Sequence, residues 1–247
     1  MKQYDGRRVV ITGGTSGVGL ATAKLLLDKG ARVLVTGRTM ATLKSARAAL
    51  GPSAIAIKSD ATSMLDIDAL AERANAEFGR VDLLFVNAGS TQFVPFESMT
   101  EAVYDDLLTL NAKAPYFTVQ RFVPLMAEGG AVVLTTSVVN VLGLPLVSAY
   151  SASKAALRSM ARTLAVELLP RGIRVNAVSP GPIDTTILAK AMPEEDAEDT
   201  RNHMVQENPM KRLGHPHEVA KAVAFLAFEA TYTTGAELAV DGGVSQL

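Results

Sequence analysis

The sequence holds no cysteine. That absence removes a disulfide framework, a thiol nucleophile and every thiolate metal site together. Nor is there an excess of charge: 24 Lys+Arg face 25 Asp+Glu, a net charge of −1. A balanced chain offers no electrostatic case for nucleic acid. No stretch of about 18 apolar residues occurs, so no membrane span is expected. The opening Met1-Lys2-Gln3-Tyr4-Asp5 is charged where a signal peptide needs an apolar run. A soluble, cytoplasmic protein is the expectation. Repeats and low-complexity linkers are missing too. His215 and His217 flank Pro216 and read as a solvated loop pair, so no metal site is expected.

What remains is a chain of 247 residues, 48% of them hydrophobic. At about 150 residues per domain it falls between one domain and two, and α/β domains of this length favour one over 1–247. Short β-branched runs recur at 7–12, 32–36, 54–58, 82–87, 131–137, 174–179 and 237–241. They are apolar on both faces, as strands buried in a parallel sheet are. Helix-length amphipathic segments such as 17–29, 63–78, 101–126, 149–169 and 216–228 separate them. The pattern predicts an α/β, doubly wound, Rossmann-type parallel sheet of about seven strands with helices on both faces. Asp184–Glu207 breaks the rhythm with a weak helical pattern, five acids in 194–199 and Pro193. Because it follows a strand's carboxyl end, where open α/β sheets bind ligands, it reads as a lid over substrate.

The first strand runs into Thr12-Gly13-Gly14-Thr15-Ser16-Gly17-Val18-Gly19. Glycines let a backbone turn tightly against a pyrophosphate, and the helix that follows presents free N–H groups. The spacing is G-x-x-x-G-x-G rather than G-x-G-x-x-G, and no Gly-Lys-Ser/Thr follows to make a P-loop. About twenty residues on, an NAD site would place an acid on the ribose 2′-hydroxyl. Here stand Thr36-Gly37-Arg38-Thr39, and no acid occurs from Lys29 through Ser59. Gly37 leaves room for a 2′-phosphate and Arg38 offers it a fork of donors, so NADP(H) is expected over NAD(H). Lys44 and Arg47 read as a solvated basic helix face. Ser59-Asp60-Ala61 could meet an adenine amine, with a helix cap as the alternative role for Asp60. Asn87-Ala88-Gly89 would admit a ribose.

Tyr150-Ser151-Ala152-Ser153-Lys154 opens another apolar helix. One turn apart, an ammonium would favour the phenolate and lower the phenol pKa, which proton transfer near neutrality requires. Ser137 closes a buried strand whose carboxyl end faces the same rim.

In this order Thr12-Gly13-x-x-x-Gly17-x-Gly19, Asn87-Ala88-Gly89, Asn111, Ser137, Tyr150-x-x-x-Lys154, Pro180-Gly181 and Val240-Asp241-Gly242-Gly243 resemble the short-chain dehydrogenase/reductase family. The likeness spans almost the whole chain and is nearest to bacterial NADP-dependent carbonyl reductases and alcohol dehydrogenases. It departs from the common pattern at Gly14 and Ser16; many NADP-using relatives are basic at the latter, so Arg38 must hold the phosphate largely alone. The resemblance implies that Tyr150 transfers the proton, Lys154 tunes it and holds the nicotinamide ribose, Ser137 binds the substrate oxygen, and Asn111 positions a water. It also implies a cofactor site of Gly13, Thr15, Ser16, Gly17, Val18, Gly37, Arg38, Thr39, Asp60, Ala61, Asn87, Ala88, Gly89, Pro180, Gly181, Ile183 and Thr185. A small hydrophobic ketone or alcohol would lie against Ser137, Val138, Leu142, Leu144, Val147 and Tyr150, in a homotetramer. The rival enzyme is a 3-oxoacyl-carrier-protein reductase, disfavoured because Phe122–Asn140 holds no Lys or Arg to meet an acidic carrier. The rival outside catalysis is an NADP-binding sensor, which would be expected to lose part of the tetrad.

Overall fold

The computed structural model describes residues 2–186, 191 and 194–247. Its strands are β1 (Arg8–Thr12), β2 (Arg32–Gly37), β3 (Ile55–Lys58), β4 (Val81–Val86), β5 (Met126–Thr135), β6 (Arg174–Pro180) and β7 (Glu237–Val240). They form one seven-stranded sheet in the order β3-β2-β1-β4-β5-β6-β7, every pairing parallel. Parallel neighbours need crossovers, and helices supply them: α1 (Gly17–Asp28), α2 (Met40–Leu50), α3 (Met64–Phe78), α4 (Glu101–Leu108), α5 (Ala114–Phe122), α6 (Ser148–Leu168), α7 (Glu194–Glu207) and α8 (Pro216–Ala224). The result is the expected single α/β domain.

Side chains alternate across each strand, so the sheet carries two cores. Val9, Ile11, Val33, Val35, Leu83 and Phe85 meet Leu26 of α1, Leu43 of α2 and Val219 and Val223 of α8. Val10, Leu34, Leu84, Val132 and Leu134 meet Leu70 of α3, Phe122 of α5 and Leu157 of α6. Each such fully buried side chain contributes about 1.5–3 kcal/mol relative to exposure. That is why the strands read as unbroken apolar runs.

Two boundaries differ from the sequence pattern. The expected helix 101–126 is broken: α4 and α5 are joined by a π-turn over Thr109–Lys113, and the Ala114 N–H reaches back to the Thr109 carbonyl. Pro115 has no N–H for the Asn111 carbonyl four residues earlier, so the regular ladder cannot pass through. A 3-10 turn at Val123–Leu125, which contains Pro124, then delivers the chain into β5 at Met126. β5 thus begins five residues before the expected 131.

The second boundary concerns 184–207. α7 is a regular helix with no buried residue, so its pattern looked weak because it has no face to bury. Three acids, Glu194, Glu195 and Asp196, occupy its first turn and complement the helix dipole. Residues 187–190, 192 and 193, including the expected break at Pro193, lie outside the described residues.

Chain direction reverses between β1 and β4: the connection from β1 leads outward to β2, that from β4 to β5. Loops diverging from adjacent strand ends leave a crevice there. The motifs of the sequence gather at that carboxyl rim.

Candidate active site

At the end of β1 the backbone enters the left-handed region at Gly13 (φ 65°) and Gly17 (φ 52°). A Cβ on Gly13 would stand 2.8 Å from Ala88 Cα, so the turn presses directly on the β4 loop. Ser16 precedes α1 without a side-chain cap, which leaves the first helical N–H groups for an outside acceptor. Thr185 approaches this turn, 3.3 Å from where a Gly17 Cβ would be. Val18 turns toward the core beneath.

Asn87 serves the turn rather than facing outward. Its Nδ2 donates to the carbonyls of Thr12 and Gly13, at 3.3 and 3.1 Å, and Thr135 donates to its Oδ1. The Thr12 hydroxyl in turn accepts from the N–H groups of Asn87 and Ala88, at 3.0 and 3.1 Å. β1, β4 and β5 are thereby locked at one height.

Next along the rim, Arg38 is exposed just past β2. Gly37 has a packing reason for its missing side chain: a Cβ there would lie 2.5 Å from Thr15 Cγ2. The weight of any phosphate preference therefore falls on Arg38. Thr39 caps α2, its hydroxyl accepting from Thr42 N at 3.2 Å. Asp60, past β3, accepts from the Thr62 N–H and hydroxyl at 2.9 and 2.8 Å. Those bonds, the N–H foremost, hold its carboxyl below the usual range, with the Arg38 charge helping. Asp60 does not cap α3; Ser63 does, and Ala61 lies between them, half-buried.

The chemical end assembles from β5, the π-turn and α6. Ser137 follows β5 and opens a 3-10 turn, Val138–Asn140. Its hydroxyl accepts from Val139 N at 3.5 Å and lies close enough to the Tyr150 phenol to lower its pKa. Burial pushes the phenol above its ordinary pKa and the Ser137 hydroxyl draws it back. Lys154, 4% exposed, sits one turn along α6 with Nζ 5.8 Å from the Tyr150 ring centroid, and donates to the Thr135 carbonyl at 2.8 Å. Burial pulls its pKa down to about 8. The sequence suggested that Lys154 would lower the phenol; the structure places its ammonium over the Tyr150 ring with the Thr135 carbonyl as hydrogen-bond partner.

Asn111 is fully buried in the π-turn. Its Oδ1 accepts from Ser90 N at 3.1 Å, and its Nδ2 donates to Ser90 O and Ser153 Oγ at 2.9 and 3.2 Å. The Ser153 hydroxyl donates on to the Tyr150 carbonyl at 2.7 Å. A Cβ on Gly89 would lie 2.9 Å from Asn111 Oδ1 and 3.4 Å from Lys154 Nζ. Gly89 is the gap that lets the two approach. Ser90, Thr135 and Ser153 were not singled out from sequence, since nothing marks a serine or threonine until its partner is known.

The aliphatic candidates divide. Val138 and Val147 are buried, Leu142 is half-buried and Leu144 is 48% exposed. Val94 N–H donates to Leu146 O at 2.8 Å, tying the loop after β4 to the one before α6. Past β6, Pro180 and Gly181 pass so close to Asp241 that a Gly181 Cβ would lie 2.6 Å from its Cβ. Ile183 bridges to Gly214. A groove of about 550 Å³ lined by Arg80, Met126, Arg171 and Gly172 lies at the opposite rim, remote from these groups.

Residues 13–245 match the family model described as enoyl-(acyl carrier protein) reductase. The chain is 39% identical over 250 residues to oxidoreductase asL5 of Sarocladium schorii, covering 100% of this chain and 99% of that protein. It is 37% identical over 243 residues to cis-4-hydroxycyclohexanecarboxylate dehydrogenase of Sinomonas cyclohexanicum, covering 96% of each. Among solved structures, the short-chain dehydrogenase/reductase SDR:glucose/ribitol dehydrogenase of Brucella melitensis superposes with a TM-score of 0.93 at 32% identity, over 100% of this chain and 99% of that one.

Proposed function

The chain belongs to the short-chain dehydrogenase/reductase family of oxidoreductases, and on that premise we propose that it interconverts a ketone and a secondary alcohol with NADP(H). One observation carries the reading: the Ser137 hydroxyl meets the Tyr150 phenol one helical turn from the buried Lys154. A carbonyl oxygen placed between Ser137 and Tyr150 receives a hydrogen bond from the serine and the phenol proton from the tyrosine. In the reverse direction Tyr150 takes the proton from the alcohol. Lys154 stands ready for the nicotinamide ribose hydroxyls. Asn111, held by Ser90 and Ser153, fixes the level of the Tyr150–Lys154 turn.

The rim suits the cofactor. The uncapped N–H groups of α1, with Thr185 beside them, would hold the pyrophosphate, Arg38 the 2′-phosphate and Asp60 the adenine amine. Ala88, Gly89, Pro180, Gly181 and Ile183 border its path. When bound, the nicotinamide supplies or accepts the hydride. The named relative that acts on a hydroxylated cyclohexane supports a small cyclic alcohol or ketone against Val138 and Val147. Among the described residues no helix is long and apolar enough to cross a membrane, which is consistent with a cytoplasmic enzyme.

The test is a ketone panel assayed with NADPH and NADH. NADPH should lead in kcat/KM by at least about tenfold, the worth of one charge-assisted bond, and Arg38→Leu should erase the lead. Equal use of both cofactors by the unaltered protein would remove the NADP assignment. Tyr150→Phe should keep NADPH binding and lose roughly 100- to 10,000-fold in kcat; a variant retaining a tenth of the rate would remove Tyr150 as the acid.

A second reading, reduction of a 3-oxoacyl group on a carrier protein, is favoured by 34% identity over 248 residues to the 3-oxoacyl-[acyl-carrier-protein] reductase FabG of Thermotoga maritima. The absence of basic residues in Phe122–Asn140 weighs less against it than the sequence suggested. The stretch up to Gly130 lies at the far rim, where β5 begins, and only Thr135–Asn140 faces the site. An acyl-pantetheine thioester turned over faster than every ketone would establish this second reading.

A further inference from the structure

The β5–β6 pairing ends at Thr136, whose N–H and hydroxyl both reach the Val178 carbonyl, at 2.9 and 3.1 Å; beyond it the turn that carries Ser137 has a second support. A single carboxylate on the edge strand β7, two strands from β5 in the same sheet, provides it. Glu237, the first residue of β7, accepts at Oε1 from the Thr136 hydroxyl and from Asn140 Nδ2, the latter at 2.8 Å. These are the two flanks of Ser137, and the Asn140 N–H closes the same turn onto the Ser137 carbonyl at 3.0 Å. Glu237 Oε2 faces Arg158 Nε of α6 at 3.3 Å, with the two side chains only 15% and 16% exposed. Arg158 Nη1 donates to Gly235 O at 3.0 Å. Residues 150, 154 and 158 follow one another at i, i+4 on α6, so the arginine lies on the face that carries Tyr150 and Lys154.

One carboxylate therefore ties the serine turn to the tyrosine helix. The arrangement has a cost: Asn140 Oδ1 is buried with no partner, because its amide is turned to give Nδ2 to Glu237. A buried acceptor left unpaired is the mark of a side chain whose orientation is fixed by something other than its own satisfaction.

We propose that Glu237 is a positioning residue for the reaction: through Thr136 and Asn140 it holds the Ser137 hydroxyl in register with the Tyr150 phenol. The proposal rests on the reading of Ser137 and Tyr150 given above.

A double-mutant cycle on the intact enzyme tests it. Glu237→Gln is measured with Ser137 present and in the Ser137→Ala background, with kcat, KM for NADPH and the urea midpoint determined for each. Misplacing a reacting group by about 1 Å costs up to roughly 100-fold, so kcat should fall 10- to 100-fold with Ser137 present while KM for NADPH stays within about twofold. In the Ser137→Ala background the same change should cost less than about twofold, because a residue that acts only through Ser137 has nothing left to position there; the two changes are then coupled. An equal fall in both backgrounds, or no fall in either, overturns the proposal. Should Glu237→Gln not fold, Asn140→Ala, which leaves the Arg158–Glu237 pair in place, completes the same cycle. Tyr150→Phe assayed alongside separates the two readings: if active, it overturns the role of Tyr150 itself, whereas an inactive Tyr150→Phe with an uncoupled cycle overturns only the role of Glu237.

Discussion

An ammonium group 4% exposed, with a carbonyl as its hydrogen-bond partner, is a charge the fold must carry at a cost until a ligand shares it. Lys154 titrates near 8 in the folded protein against an ordinary 10.5, so below pH 8 the native state holds a buried charge that the unfolded chain holds in water. The full penalty, about 3 kcal/mol, applies there. Between about 8 and 10.5 the unfolded chain binds the extra proton, stability rises with pH, and above that window the penalty is gone. Lys154→Met should therefore be more stable than the parent at pH 7, by about 2 kcal/mol after the bond to Thr135 is lost. By pH 10.5 it should have no advantage. Urea unfolding of both proteins across that range, without cofactor, is the measurement; an offset independent of pH would show that Lys154 is not buried as a charge. At this scale much of the site was legible because Tyr150, Lys154, Ser137 and Asn111 belong to types that do chemistry and stand at motif positions. Glu237 was not, since its partner Thr136 is 101 residues away in the chain. Thr39 and Asn87 were read toward the cofactor, yet their hydrogen bonds are spent within the protein, on α2 and on the Gly13 turn.

Elements were legible where burial imposes a period. All seven strands overlap the apolar runs that predict them, β5 starting early, because a parallel sheet covered on both faces leaves no polar alternation to misread. The π-turn at Thr109–Lys113 was hidden because its cause is one missing N–H at Pro115 within a segment whose apolar spacing is still helical. That widened turn brings Asn111 inward to Ser90 and Ser153, a use typical of π-bulges at functional sites. α7 is the opposite case, a helix with nothing to bury. Its described attachment to the strand end is the Arg201–Asp184 pair at 2.6 Å, with side chains 45% and 41% exposed, and such pairs contribute about 0–1 kcal/mol. A helix that buries no residue is suited to act as the lid that 184–207 suggested. Amide exchange across Glu194–Glu207 should slow on adding NADP with an alcohol substrate; equal exchange with and without ligands would leave α7 a surface helix.

At the scale of the whole molecule, the sheet's carboxyl rim and the helices on its flank present surfaces of different chemistry. The carboxyl rim gathers the chemistry, because the reversal between β1 and β4 opens the only direction in which the strand-end loops diverge. The flanks carry surplus apolar surface: Tyr104 on α4, Tyr116 on α5, Val166 on α6 and Leu169 just past it are 45%, 43%, 73% and 56% exposed. Since α4 and α6 pack against each other, the exposed side chains of these two helices share one side of the sheet. Each Å² removed from water contributes about 25 cal/mol, and a stable interface buries about 1,600 Å² in total. Partners of the same kind are the economical cover, because one patch then serves every copy. A homotetramer is accordingly expected, as the family resemblance implies. Sedimentation at micromolar concentration should show a single species of four chains, and Val166→Asp, which places a charge at the most exposed of these four side chains, should shift it toward smaller species without lowering the urea midpoint. A monomer under those conditions, or a tetramer indifferent to Val166→Asp, would mean that this surface is left to water or that assembly uses another face.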